Sequence, residues 1–122
     1  MNRKNKLVMI LVVMVLMAVC SLGYAGKVQA SGFQAKKASS NSVIVKWGKD
    51  KTASKYLIYR CAHKKARGYA LKFKLVKTAG KNTVCWIDRG LTRNMYYDYK
   101  VCIVYKNGRK ACSVKRTVFL KK

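Results

Sequence analysis

The chain has 122 residues, room for one domain of ordinary size and an export segment. It carries 28 Lys and Arg against three Asp and no Glu, a formal net charge of +25, with a single His. So few carboxylates and imidazoles leave little from which to build general acid–base catalysis, while the charge makes the molecule soluble, self-repelling and drawn to polyanions.

The first segment reads as a leader. Arg3, Lys4 and Lys6 precede fourteen apolar residues, 7–20, and then come Ser21, Gly23, Ala25 and Gly26. Val28-Gln29-Ala30 offers small side chains around a cleavage point, so residues 1–30 read as a secretory signal peptide, with cleavage after Ala25 as the second choice. An uncleaved anchor is the alternative, because the uncharged stretch 7–26 approaches the length that spans a bilayer. A lipid-attachment role for Cys20 is weakened by Val19 where a small residue is usual. Four cations leave with the leader, and the 24 that remain face Asp50, Asp88 and Asp98 alone.

Residues 31–122 then alternate with period two, which predicts strands. A weak strand lies near residues 33–37, and Val43, Val45 and Trp47 alternate in the second. Gly48-Lys49-Asp50 marks a turn before Tyr56 and Ile58, which alternate in the third. Residues 63–72 read as a loop with four Lys or Arg; Phe73 and Leu75 belong to the fourth strand, and Val84 and Trp86 to the fifth. Tyr97, Tyr99, Val101 and Ile103 alternate in the sixth, and Asn107-Gly108 signals a hairpin into a seventh over residues 112–120. Seven short strands in about 90 residues predict an all-β, two-sheet, immunoglobulin-like sandwich over residues 31–122. Its expected core includes Trp47, Tyr56, Ile58, Trp86, Leu91, Tyr97, Tyr99 and Val101.

Four pieces of sequence resemble a fibronectin type III domain, especially the lysine-rich form of exported Gram-positive proteins. They are SVIVKWGK (residues 42–49), KYLIYR (55–60), DRGLTRNMYYDYKVCIVY (88–105) and NGRKACS (107–113). The most specific is Leu91 followed six residues later by Tyr97, the spacing of a tyrosine corner. The chain departs from the family in having no Pro; Arg93 stands where the corner usually has one, and lysines would have to protect the sheet edges.

Cys61, Cys85, Cys102 and Cys112 remain after the leader, an even number in an exported small domain. None shows C-x-x-C spacing and His63 stands alone, so no metal or cofactor is called for. If Lys106-Asn107-Gly108 forms a three-residue hairpin loop, Cys102 faces Cys112; a two-residue loop puts Ser113 there instead. Cys61 and Cys85 are expected on different sheets.

No catalytic set stands out. Asp88 and Asp98 could be set up as a glycosidase pair, but Asp88 suits a turn cap and Asp98 has the solvent-facing parity. Ser39 and Ser113 lack a partner base. Tyr59 and Tyr96, of outward parity, are the exposed aromatics, and no loop carries Arg-Gly-Asp. The functional signal left is charge: Lys64, Lys65, Arg67, Lys72, Lys74 and Lys77 cluster between the third and fourth strands, and Lys106, Arg109 and Lys110 crowd the last hairpin. The plain alternative for these is a solvated, aggregation-resistant surface. The reading is a secreted or surface-held, non-catalytic binding or structural module whose partners are anionic cell-wall polymers or another surface protein. Extracellular nucleic-acid binding and membrane activity are the alternatives; the first lacks a recognised motif and the second lacks a basic amphipathic helix. Membrane contact would come only through residues 7–26.

Overall fold

The computed structural model describes residues 33–122, so the leader, its cleavage point and Cys20 lie outside the described residues. The described residues form eight strands: β1 (Gln34–Ser39), β2 (Ser42–Lys46), β3 (Ala53–His63), β4 (Lys74–Gly80), β5 (Cys85–Asp88), β6 (Tyr96–Tyr105), β7 (Lys110–Cys112) and β8 (Arg116–Phe119). They make two antiparallel sheets, one ordered β1-β2-β5 and the other β4-β3-β6-β7 with β8 also on β6. The expected third strand is longer than its alternation suggests, reaching His63, so the irregular stretch begins at Lys64.

The inner faces of the two sheets meet in a core of Val43, Val45, Trp47, Tyr56, Ile58, Leu91, Tyr97, Tyr99, Val101 and Ile103, closed by Phe33, Val118 and Leu120. Trp47 is fully buried and tilted against Tyr56, their ring centroids 5.6 Å apart. Trp86, opposite Val45, packs against this core but is only partly buried, because β5 is an edge strand of the three-stranded sheet among the described residues.

The seventh strand differs from expectation: it is split into β7 and β8. Tyr99 pairs with Arg116 and Cys102 with Cys112, so three residues, 113–115, face two on β6. The bulge is held by Ser113, whose amide donates to Val101 O at 2.8 Å while its Oγ accepts from Val101 N at 3.0 Å. A one-residue slip exchanges the faces of a strand. Cys112 therefore points to the outer face, and Val118 and Leu120 point into the core.

The preceding hairpin has a three-residue loop. Tyr105 N donates to Arg109 O at 2.8 Å, and Gly108 takes a φ of 86°, a left-handed conformation cheap only for glycine. Counting outward from it places Cys102 opposite Cys112, and their sulfurs are bonded at 2.00 Å. Cys61 and Cys85 lie on different sheets, in β3 and β5.

At the corner before β6, Tyr97 Oη accepts from Thr92 N at 2.8 Å, and Leu91 N donates to Asn41 O at 2.8 Å. Removing the hydroxyl leaves the Thr92 amide without that partner. Tyr97→Phe should therefore cost about 1–2 kcal/mol of unfolding free energy, read from denaturant midpoints at unchanged m. An unaltered midpoint would show that the hydroxyl adds nothing to the corner.

Candidate functional site

Strand parity alone puts Asp98 in solvent and local sequence puts Asp88 at a turn; the structure corrects both. Asp88 is buried between the sheets. Arg60 Nη1 lies 3.0 and 2.8 Å from its two oxygens, and Tyr99 Oη donates to Oδ2 at 2.7 Å. Burial, then the bond to Asp88 and its charge, push the Tyr99 pKa far above the ordinary phenol value. The cluster joins β5 to β3 and β6, across the sheet interface, with the Arg60 guanidinium 5.9 Å from the Tyr97 ring centroid.

Asp98 points the other way, onto the outer face of the five-stranded sheet, yet it is 0% exposed. Residues 64–73 fold back over that face. Tyr69 Oη donates to Asp98 Oδ2 at 2.8 Å and Thr117 Oγ1 to Oδ1 at 2.6 Å, while Lys115 Nζ stands 3.7 Å away. Burial alone would raise the Asp98 pKa. The bonds from Thr117, His63 and Tyr69 outweigh it and hold the carboxyl below its ordinary value.

His63 is stacked between Tyr69 and Tyr96, and Tyr96 in turn meets Phe119. This is why Tyr96, expected to be exposed, is half-buried. Tyr59 is likewise covered, by Lys100 and Lys110, and Lys110 Nζ donates to its hydroxyl at 3.0 Å. Neither ring offers an open stacking platform.

Cys61, His63 and Asp98 share the outer face, a grouping that the linear sequence hides. It does not form a nucleophile–base arrangement. His63 Nδ1 is 2.6 Å from Lys65 O, and its Nε2 is turned to Asp98 Oδ2 at 3.1 Å, off the line of a well-aligned hydrogen bond. The Cys61 thiol points to Ala70 O at 3.8 Å. Neither imidazole nitrogen makes a hydrogen bond to the sulfur. Asp88 and Asp98 lie on opposite faces of one sheet and cannot flank a scissile bond. Ser39 Oγ is engaged with Asn41 and Ser42, and Ser113 Oγ with the β6 backbone.

The basic candidates are exposed, but they do not form one site. Lys64, Lys65, Arg67 and Lys72 lie in the loop beyond the end of β3, and Lys74 and Lys77 follow on β4, opposite Arg60 and Ile58. Lys106 and Arg109 lie at the other end, where Tyr105 pairs with Ala53 at the start of β3, and Lys110 opens β7. The length of β3 separates Lys64 and Lys65 from Lys106 and Arg109 by roughly 30 Å at 3.3 Å per residue, while Lys110 reaches back to Tyr59, beside the residues that Lys74 and Lys77 face. What unites them is the absence of opposing charge. Asp50, Asp88 and Asp98 are all buried, whereas every Lys and Arg of the described residues except Lys46, Arg60 and Lys100 is exposed. Among the described residues, the charged side chains turned to water are cations alone.

A scan against protein-family models found no match, and neither did a search of curated protein sequences. Solved structures do match. The third fibronectin III domain of human KIAA0343 protein is 18% identical, with a TM-score of 0.63 over 82% of this chain and 90% of that one. The FN5 domain of Drosophila Lar is 18% identical at a TM-score of 0.59, over 81% of this chain and 99% of that one. A Fn3-like protein from Clostridium thermocellum is 21% identical at a TM-score of 0.57, over 76% of this chain and 90% of that one. The fold is that of a fibronectin type III domain.

Proposed function

We propose that the protein is an exported, non-catalytic binding or structural module that holds to anionic polymers of a Gram-positive cell surface. The observation that carries this reading is the burial of all three aspartates beneath a surface whose exposed charges are positive throughout. Solubility needs only a modest net charge with both signs mixed. A surface of one sign instead raises the local concentration of polyanions and speeds their capture. Phosphates of a wall polymer would supply the matching charge outside the cell. The placing of Asp88 and Asp98 on opposite faces of the five-stranded sheet supports the non-catalytic part.

The test is sedimentation of the exported protein with purified walls, before and after chemical removal of their anionic polymers. Binding should disappear with the polymer. The triple reversal Lys64→Glu, Lys65→Glu, Arg67→Glu should weaken binding at least tenfold. It should also lower the log–log salt slope by about three, one for each phosphate no longer neutralised. These side chains are exposed in a loop, so the melting temperature should hold. Equal retention on stripped walls and by the triple variant would mean that the charge serves solubility only.

A further inference from the structure

Three loops meet at the end of the sandwich away from the 64–73 loop: residues 47–52 between β2 and β3, 81–84 between β4 and β5, and 106–109 between β6 and β7. Between them is an open hollow of about 200 Å³ lined by Lys49, Lys51, Lys81, Lys106, Asn82 and Asp50, with Ala53 at its wall. We infer that this hollow is a seat for a single phosphate group. As a wall-polymer site it rests on the function proposed above, but as an anion site it stands on its own geometry.

The lysines come from three separate chain segments, and backbone bonds fix those segments to one another. Lys106 N donates to Thr52 O at 3.0 Å, which ties the last hairpin to the first loop. Ala53 N donates to Asp50 O at 3.1 Å, and Thr83 N to Gly80 O at 3.0 Å, closing the other two turns. Tyr56 Oη accepts from Asp50 N at 2.8 Å, anchoring the first loop to the core. Oδ1 of Asp50, a residue 6% exposed, accepts from Thr52 N at 2.8 Å and Thr52 Oγ1 at 2.6 Å, which braces the turn.

The hollow is therefore ringed by four lysines against one carboxylate, and none of the four is ion-paired to a carboxylate among the described residues. Four lysines set around one hollow on a braced frame make the local potential positive, which favours entry of an anion. Lysine meets phosphate as a point charge, and the Asn82 amide adds a neutral donor. At about 30 Å³ per water the space holds some six or seven waters, enough for a phosphate and part of the polyol that carries it.

Amide NMR of the exported protein, titrated with inorganic phosphate against chloride at constant ionic strength, tests the seat. Saturable shifts should be confined to residues 49–53, 81–82 and 106, and Lys81→Gln with Lys106→Gln should weaken them at least tenfold. Lys64→Gln with Lys65→Gln should leave them unchanged. Shifts that grow without saturation, or that move Lys64 and Lys74 equally, overturn the seat and leave wall binding to its own assay. A short poly(glycerol phosphate) that saturates the same amides identifies the polymer as the source; one that leaves them still while inorganic phosphate binds overturns that source. A saturable seat in a protein that does not sediment with walls overturns the wall reading instead.

Discussion

Raising salt from 50 to 200 mM should weaken binding to anionic wall polymer by about a thousandfold or more. Each phosphate that a lysine neutralises releases a condensed counterion, and six to ten such pairings give a loss of this size on the scale established for nucleic acids. The structure favours a steep slope. Exposed cations occur on both ends of the sandwich and along β4, and no exposed aspartate competes with the polymer for them. Neutral stacking on sugar would release no counterions, and the two rings best placed for it are covered: Tyr59 by Lys100 and Lys110, Tyr96 by His63 and Phe119. Affinities measured across that range at fixed pH decide the matter. A change of less than tenfold would point to an uncharged ligand.

Asp88→Ala should cost about 3 kcal/mol of unfolding free energy. The substitution strands the Arg60 guanidinium and the Tyr99 hydroxyl, the second of them fully buried. Breaking a buried ion pair from one side typically costs about 3–5 kcal/mol, and partial water access to Arg60 sets the expectation at the low end. In a domain of this size that is a large part of the total, and it should lower the melting temperature by roughly 12 °C or more. Replacing the whole cluster with apolar groups (Arg60→Met, Asp88→Leu, Tyr99→Phe) should recover most of the loss, because nothing polar is then left unpaired. A single mutant as stable as the parent would show that water already serves Arg60 and Tyr99.

The inner faces of the sheets are legible in the sequence because alternation is a local property. Val43, Val45, Tyr97, Tyr99 and Val101 can be assigned to one side from their spacing alone. The tyrosine corner is legible for the same reason, since Leu91, Thr92 and Tyr97 are near neighbours in the chain. The Cys102–Cys112 register hangs on one local choice, the length of the hairpin loop, which the Tyr105–Arg109 backbone bond resolves together with a left-handed Gly108 and an Asn107 that is not left-handed. Parity misleads at Asp98. It reports which side of a sheet a residue takes, not whether that side is wet, and here residues 64–73 cover the outer face. Asp88 escapes because its partners, Arg60 and Tyr99, lie 28 and 11 residues away on the other sheet. The same limit hides the four-lysine hollow. Only Lys106 stands out in the sequence, while Lys49, Lys51 and Lys81 join it through loops that are distant in the chain.

The surplus residue in the last strand governs which changes of chain length this domain can absorb. Ahead of it, even-numbered positions look outward, as Cys112 does; after it they look inward, as Val118 and Leu120 do. A deletion or insertion of one residue among 113–115 would cancel that exchange. The domain would then have to choose between cross-linking its hairpin and closing its core with the C-terminal strand. Changes by two residues preserve the exchange and distort only the outer edge. Among descendants of this sequence, then, length should vary in steps of two across this short stretch, while the exposed loop at residues 64–73 is free of any such parity.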